Sequence, residues 1–511
     1  MKNFHYSLLI FLVVFHACRD AEEMPTTQAP MMSIPPSEEM TQLGEQLENP
    51  YTVENMQQAY FNLQGNSKMK TSISASDITT THLYVRFLPK TDEEYQLLTQ
   101  DTTLELYEYP LDYELAEGGA HYHDPQLPTE GFTWKYAAVK HDYPFPNVQY
   151  EVLEELFIPE SVQEETKFKT QTSLDFLDQL EEEALKITHN WEETPPNEVK
   201  GKKWWKRTSW RPSGRISMFD NSPEFGWNVS VRGAKVRVRS WFTTKYAYTN
   251  SDGFFQINHS FKGHVNYSIV WERADYNIRY RAWRQAYYNG PRLKEQAWNL
   301  VIPNETSMSR VYATIHRAAH RYFYEPNFGL RRPPRKKDMI GKVTIGAYDN
   351  FKIRQSGDFR PEKRYYFVVP VIRIFNWEKS CREIYATTIH ELAHASHWNM
   401  DRYNMKNGDI EVVESWARGV EWALTRLEYN NYLGSFAEPD NKFTHVVLDM
   451  IDFSWDRNEG WDDDRVHGYT IRQIEDALIG QREWNGWRDN IKRRYTNSTE
   501  NNLDALFEYW H

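Results

Sequence analysis

The spacing of apolar and polar residues changes in character along the chain. Between about positions 80 and 160, short apolar runs alternate with turn residues, which is the pattern of β-strands. The strands predicted there are 83–87, 104–109 and 132–139. Apolar residues recur at helical spacing over 174–187, and Pro195-Pro196 comes after that segment. We therefore predict a β-rich N-terminal domain over 76–200 that also contains one helix.

A stricter alternation begins near Gly233. Residues 234–239 alternate apolar and basic side chains, as a half-buried strand does. A turn at 249–253 leads into a second strand, and alternation returns over 265–271. The pattern G-A-x-V-x-V, succeeded by T-x-x-x-G-x-F, resembles the carboxypeptidase regulatory-like domain, a transthyretin-like β-sandwich. The resemblance implies a sandwich over 201–285 that serves as a scaffold or spacer beside a catalytic unit.

From about position 286 the pattern mixes helices with strands. Helical spacing predicts helices over 306–323, 381–398 and 470–478, and strand-like runs occupy 342–348 and 365–375. A further helix is expected around Glu414, where an apolar stripe runs from Val413 to Leu427 and Asp409 can cap the first turn. The sequence thus predicts a multidomain protein whose C-terminal domain, 286–511, is α+β.

The helix over 381–398 carries the segment His390-Glu391-Leu392-Ala393-His394. Histidines at i and i+4 lie one turn apart on the same face, so both imidazoles can reach one metal ion. The glutamate between them is placed to act on a water molecule at that ion. A buried helix with two hydrogen-bonded histidines is the alternative interpretation, so a third ligand is needed to favour a metal site.

Glu414 offers that third ligand, and nineteen residues separate it from His394. Two histidines and one glutamate leave a fourth position for water, which is typical of a catalytic zinc site. The segment His390–His394 together with Glu414-Ser415-Trp416-Ala417-Arg418 resembles the gluzincins, the zinc peptidases that include thermolysin and the M1 aminopeptidases. Val413 and Ser415 replace the Asn and Gly of the M1 pattern, and the spacing is closer to that of thermolysin.

The resemblance implies a zincin-like C-terminal domain in which His390, His394 and Glu414 hold Zn2+ and Glu391 is the general base. It also implies a His or Tyr from a later segment that stabilises the oxyanion. His467 and Tyr469 match that place, although a turn at a helix entry, without a chemical role, is an equal alternative. Arg418 either orients Glu414 or forms an ordinary helical ion pair with it.

Other histidine patterns are weaker candidates for a metal site. A metzincin requires glycine at position 397 and histidine at position 400, whereas the chain has His397 and Met400. His397 lies roughly 10 Å from His390 along a helix axis, so we expect it to line the cleft rather than to bind the ion. His316 and His320 share the i, i+4 spacing but lack the glutamate, which favours an ordinary packed helix.

Composition narrows the class of protein. The chain has 511 residues, 40% of them apolar and 15% aromatic, which is ample for packed cores. A net charge of −12 argues against nucleic acid as a partner. The mean hydropathy of −0.76 excludes a polytopic membrane protein.

The first eighteen residues have the pattern of an export signal. Lys2 precedes an apolar run over 7–15 that is too short to span a bilayer. Its end at Ala17-Cys18 resembles a bacterial lipoprotein signal peptide, which implies lipidation of Cys18 and anchoring to the outer membrane, with exposure on the cell surface as one option. An ordinary secretory signal is the alternative. Residues 19–75 read as a flexible tether, and Cys381 is expected to be a small buried apolar residue.

Together these features predict a lipid-anchored zinc metallopeptidase that hydrolyses peptide bonds with a water activated by Glu391. Its expected partners are a protein or peptide substrate and the membrane. Two alternatives stay open on the sequence: a non-catalytic binding or adhesion lipoprotein that retains a zincin fold, and a zinc hydrolase of a non-peptide amide.

Overall fold

A computed structural model of the protein describes residues 40–66, 73–128, 131–163, 168–191, 209–281, 284–303, 307–335, 342–349, 356–360, 371–375, 379–432, 443–452 and 465–511. They form a β-rich, multidomain protein of mixed α/β structure, as the sequence predicts. In these segments no helix combines the length and the apolar character needed to cross a membrane. The export signal, Cys18 and Pro195-Pro196 lie outside the described residues.

The N-terminal unit combines short strands with helices. Its elements are β1 (Gln42–Gln46), α1 (Val53–Asn66), β2 (His82–Leu88), α2 (Asp92–Gln100), β3 (Tyr113–Glu117), β4 (Lys135–Lys140), β5 (Gln149–Leu156), α3 (Pro159–Val162) and α4 (Gln171–Ile187). A three-stranded antiparallel sheet has the order β4-β2-β5, and β1 pairs with β3. Strand 83–87 and helix 174–187 are confirmed, and the strand expected over 132–139 begins at Lys135.

Two segments of this unit differ from expectation. The strand predicted over 104–109 is wrong: Tyr107 makes a single bridge to Tyr136, and its ring lies against Arg237 of the next unit. β1 and α1 form within residues 19–75, where a flexible tether is expected. α1 is ordered because Met56 and Ala59 are fully buried in the N-terminal core.

The second unit consists of two four-stranded sheets packed face to face. Its strands are β6 (Ser213–Asp220), β7 (Trp227–Ser230), β8 (Lys235–Ser240), β9 (Thr243–Tyr248), β10 (Phe254–Gln256), β11 (Val265–Val270), β14 (Tyr287–Leu293) and β15 (Trp298–Ile302). One sheet has the order β14-β11-β8-β9; in the other, β6 pairs with β7, β10 and β15. Tyr267 joins the sheets because its ring contacts those of Phe255 and Trp298. The alternating strands and the turn at Gly253, whose φ is +72°, are confirmed.

The expectation that β8 is half-buried is wrong, because both of its faces are covered. Val236 and Val238 face the opposite sheet, and Arg237 and Arg239 are each only 2% exposed. The side chain of Arg237 reaches Glu105, and that of Arg239 reaches the carbonyl of Leu111, so the N-terminal unit covers this face.

The strands of the second and third units are interleaved in the sequence. β12 (Tyr276–Tyr280) and β13 (Arg284–Gln285) come after β11 but join a separate five-stranded sheet, after which β14 and β15 return to the sandwich. The expected boundary at 285 therefore falls between strands of different sheets, and two sandwich strands lie beyond it.

The five-stranded sheet belongs to the third unit. Besides β12 and β13 it contains β16 (Val343–Ala347), β17 (Gly357–Phe359) and β18 (Ile372–Ile374), and its order is β13-β12-β16-β18-β17. β12, β16 and β18 are parallel, whereas β17 is antiparallel to β18 and lies at the edge. The expected strand at 342–348 is confirmed, and of 365–375 the described part contains β18.

Helices pack against this sheet and against each other. They are α5 (Met308–Tyr324), α6 (Cys381–Met400), α7 (Arg402–Asn407), α8 (Ile410–Thr425), α9 (Val446–Ile451), α10 (Ile471–Leu478), α11 (Trp484–Arg494) and α12 (Leu503–Tyr509). The helices predicted over 306–323, 381–398, around Glu414 and over 470–478 are confirmed. α6 lies between α5 and α8 and contacts β17 and β18. Cys381 is buried and free, as a small apolar residue would be.

Candidate metal centre

α6 brings two histidines together on one buried face. Ser380 and Glu383 form a capping box that fixes the start of the helix. From there the helix runs through the core, where His390 is 7% exposed and His394 is fully buried. The Nε2 atoms of the two histidines are 3.1 Å apart.

α8 supplies a carboxylate to the same point. Asp409 occupies the N-cap position as expected, but its side chain accepts from the backbone of Trp484 instead of capping α8. Glu414 is fully buried, and its Oε2 lies 3.2 Å from His390 Nε2 and 3.3 Å from His394 Nε2. Ligands about 2.0–2.1 Å from a tetrahedral ion lie roughly 3.3–3.4 Å from one another, which is close to this separation.

Glu421 lies about two turns beyond Glu414 on α8 and fixes the orientation of His390. Its Oε2 lies 2.9 Å from His390 Nδ1, and Tyr432 donates to its other oxygen. An ionised carboxylate only accepts hydrogen bonds, so Nδ1 carries the proton and Nε2 presents a lone pair. The lone pair and the Glu414 oxygen therefore converge as two acceptors, an arrangement that a cation would stabilise. The buried group His390, His394 and Glu414 can hold a metal ion.

The charges of the cluster agree with this arrangement. Burial acts to raise the pKa of Glu414; when no cation occupies this point, protons on the Nε2 atoms of His394 and His390 take its place, and their charges and hydrogen bonds outweigh burial and hold that pKa well below its usual range. Burial also opposes ionisation of Glu421, and the hydrogen bond from His390 lowers its pKa in the same way. Both carboxylates are therefore ionised in the folded protein and available as ligand and as hydrogen-bond acceptor.

Glu391 is placed differently from the three ligand residues. It is 1% exposed, and its Oε2 has no hydrogen-bond partner within the described segments. Burial raises its pKa well above the ordinary value, against the charge of His390, and nearby Asp358, Glu414 and Glu421 raise it further. A cation among these groups would favour its ionised form.

Strand β17 passes close over Glu391. Gly357, its first residue, allows this approach because a Cβ built there would lie 2.8 Å from Glu391 Oε1 and 2.8 Å from the methyl carbon of Thr387. The next residue, Asp358, is held by the guanidinium of Arg373 on the neighbouring strand. The edge of the sheet is thereby fixed above the centre of α6.

The contacts known for the remaining predicted residues are with other parts of the chain. Tyr469 is buried beside Glu500; burial and that charge raise its pKa to about 12. His467 is half-buried, and its carbonyl accepts from Asn497 and Thr499. None of these contacts involves the three ligand residues, so an oxyanion role for His467 or Tyr469 stays a prediction.

Other candidates take ordinary positions. Arg418 donates to the carbonyl of Phe443. His397 is buried with neither ring nitrogen hydrogen-bonded in the described part of the chain, and burial lowers its pKa to about 3. His316 bonds to Tyr276 and to the carbonyl of Arg232, which confirms a packed structural helix for α5.

No family model, curated protein or solved structure matches the chain. The resemblance to gluzincins and to lipoproteins therefore rests on the sequence motifs alone.

Proposed function

We propose that the protein is a zinc metallohydrolase and, within that class, a peptidase. The observation that carries the proposal is the convergence of His390 Nε2, His394 Nε2 and Glu414 Oε2 at 3.1–3.3 Å, with the carboxyl group of Glu391 buried beside them. This separation is close to the one expected of ligands around a single tetrahedral ion.

Zinc is the metal that fits this donor set best. Two imidazole nitrogens and one carboxylate oxygen, with a fourth position open, form the ligand set of catalytic zinc sites. His390, His394 and Glu414 would hold the ion, which would supply Lewis-acid chemistry by lowering the pKa of a water molecule to about 7 and polarising a carbonyl group.

Other side chains orient a ligand and transfer a proton. Glu421 and Tyr432 hold the ring of His390 in the orientation that presents Nε2. Glu391 accepts a proton from the attacking water and returns it to the nitrogen of the leaving amine, a role typically worth about 10²–10⁴-fold in rate. Its burial keeps bulk water away from the proton that it carries.

A peptide is the substrate favoured by the position of β17. Within the described residues β17 pairs with β18 alone, and we propose that its other side pairs with an added strand. An extended peptide on that side would lie close to Glu391, because Gly357 of β17 is packed against it. This geometry favours a peptidase over a hydrolase of small non-peptide amides.

The test measures zinc content and hydrolysis of a mixed peptide library on the same preparations. Glu391→Gln keeps the size of the side chain and the three ligands, so zinc should stay while turnover falls by about 10²–10⁴-fold. Glu414→Ala should lose zinc under mild chelation. His397→Leu, in the same helix, should retain both zinc and activity.

Two results would contradict the proposal. Loss of zinc from Glu391→Gln would mean that Glu391 is a ligand or a structural residue. A wild-type protein with full zinc and no hydrolysis across the library would favour a binding or adhesion role for a retained zincin-like fold.

We also propose that the protein is exported and anchored through a lipidated Cys18, on the strength of Ala17-Cys18 after an apolar run. Several acyl chains on this cysteine would be needed for durable attachment, since a single chain binds only weakly. Cys18→Ala should leave the membrane fraction or fail to mature; normal processing with retention in the membrane would overturn the proposal.

A further inference from the structure

The face of the sandwich that is covered by the N-terminal unit carries a row of polar side chains. Arg239 on β8 pairs in register with Asn266 on β11, and Asn266 pairs with Arg292 on β14. Period-two alternation puts these three side chains on the same face of the sheet. The row belongs to the sandwich, whereas the metal centre lies between α6 and α8, so a function of the row would be independent of that centre.

Arg239 is a buried cation that is only partly hydrogen-bonded. It is 2% exposed, and its Nη1 donates to the carbonyls of Leu111 at 3.0 Å and Trp241 at 2.8 Å. Its Nε and Nη2 are buried and have no partner in the described part of the chain. Asn266, 7% exposed, likewise has an unpartnered Nδ2.

The neighbouring Arg237 shows that this face can provide hydrogen-bond and ion-pair partners for a buried arginine. It is equally buried, yet its Nε donates to Ser268 at 2.9 Å and its Nη1 meets Glu105 at 3.1 Å. No carboxylate takes the corresponding place at Arg239 within the described residues. Tyr107 and Tyr109 lie 5.2 and 5.7 Å from its guanidinium, and such contacts offset only part of the cost of a buried unpaired charge.

Arg239 and Asn266 both line a cavity of about 180 Å³ between the N-terminal unit and the sandwich. The acidic residues on its wall already have partners. Glu160 is paired with Lys245 at 2.7 Å, and Asp178 and Glu181 share Lys262 at 2.9 and 3.0 Å. An anion in the cavity would therefore not have to displace a partner from Arg239.

We propose that this cavity binds the carboxylate group of a small organic acid. The Nε and Nη2 atoms of an arginine form a side-on fork that matches the two oxygens of a carboxylate. Both atoms of Arg239 are sealed from solvent in this structure, so the binding that we propose includes a turn of its guanidinium towards the cavity. Nδ2 of Asn266 adds a third donor. Leu111, Ile158 and Trp241 supply an apolar wall for a short hydrocarbon chain. The cavity, of about 180 Å³, has room for a small organic acid.

The experiment measures the unfolding temperature of the full chain in sodium propionate, in inorganic phosphate and in sodium chloride at matched ionic strength. A ligand that binds the folded state raises this temperature as its concentration increases. Propionate should raise it above the chloride reference, and calorimetric titration should give a binding isotherm. Arg239→Met should abolish the response.

Two variants keep the test decisive. Asn266→Leu, which leaves the fork intact, should weaken propionate binding by about tenfold, since hydrogen bonds to charged groups contribute about 1.5–3 kcal/mol. If Arg239→Met does not fold, Asn266→Leu provides the test in its place. Arg215→Met on β6 removes the same charge outside the cavity and should bind as the wild type does.

The proposal is overturned if propionate acts no differently from chloride, or if Arg239→Met and the wild type respond alike. An arginine fork can bind either a carboxylate or a phosphate, so a response to phosphate without a response to propionate would reject the carboxylate assignment.

Discussion

Glu421 lies outside the candidate ligand set but fixes the orientation of one of its members, His390. Its carboxylate binds the proton on His390 Nδ1 and is itself held by Tyr432. Without that acceptor, His390 could place its proton on Nε2, where it would compete with a metal ion. The residue that stabilises the ligand is therefore on the same helix as Glu414, seven positions later.

Glu421→Gln should lower zinc affinity by about 10–100-fold, because an amide is a weaker acceptor for the histidine proton. Competition with a chelator, read by metal analysis, measures the change. Glu411→Gln is the matched control: it lies on the same helix and its carboxylate contacts His511 instead. Equal zinc affinity in the Glu421 variant and the wild type would show that Glu421 does not orient His390 for metal binding.

Gly357→Ala should lower peptide hydrolysis by about a hundredfold while zinc remains bound, because the added methyl group would displace Glu391 or lift β17 from α6. Steady-state kinetics and zinc content are the measurements. Gly65→Ala, where nothing lies within 4 Å of the new methyl, should leave both unchanged. Unaltered activity in Gly357→Ala would show that this close approach is not needed.

At the same scale, the sequence predicted the ligand set better than its surroundings. His390, His394 and Glu414 are expected from helical spacing, and the structure brings their ligand atoms together. Glu421 shares the face of Glu414 at i+7, which is a signal in the sequence, but helical acids are commonly solvated. Gly357 could not be identified, because a glycine that makes room for another side chain leaves no periodic pattern.

The helix that carries Glu414 also depends on a close crossing with α9. Gly419 on α8 meets Val447, and a Cβ at position 419 would lie 2.3 Å from the Cγ1 atom of that valine. The absence of a side chain lets the two helices approach, so Gly419 serves packing although glycine lowers helix propensity.

Gly419→Ala should destabilise the protein by about 1–3 kcal/mol through overpacking. Adding Val447→Ala should restore part of the loss, since the two changes share one contact. Thermal unfolding of both single variants and the double variant gives the coupling. Gly486→Ala in α11 meets only the flexible end of Gln481 and should be tolerated. Additive effects of the two substitutions would exclude the contact as the cause.

Prediction of elements succeeded where apolar residues recur at helical spacing over a long segment, as in α5, α6 and α8, although these helices are buried on nearly every side. It failed at 104–109, because alternation there reflects contacts with Arg237 and Arg239 of another unit and not pairing with a neighbouring strand. It also missed α1, where Val53, Met56 and Leu63 recur at helical spacing but lie among several Asn and Gln residues.

In the whole molecule, Glu272 ties the sandwich to the C-terminal sheet. One of its oxygens meets Lys235 of β8 and the other meets Lys342 just before β16, both at 2.7 Å. Burial opposes ionisation, but the two lysines outweigh it and lower the pKa of Glu272 from 4.5 to about 2. A depressed folded-state pKa stabilises the protein above the unfolded value, near 4.5, and that contribution is lost as pH falls towards 2.

Glu272→Gln should therefore lower the unfolding temperature at pH 7, through a loss on the order of 2 kcal/mol, and the difference from the wild type should shrink as the pH falls from about 4.5 towards 2. Calorimetry at a series of pH values makes the comparison. Glu508→Gln, an exposed carboxylate, should show no such trend. A difference that is constant with pH would contradict the bridging role.

The interleaving of β12 and β13 with the sandwich has a consequence for biogenesis. As the chain emerges from its N-terminus, the sandwich cannot close until β14 and β15 are made, near residue 302. β12 must then wait for β16, which begins at Val343, before its parallel partner exists. The unpaired strand edges of the sandwich and of β12 would stay exposed during synthesis. Exposed strand edges are prone to misassembly. We therefore expect the two units to fold together. Cleavage of the chain at a single position would not release either unit intact.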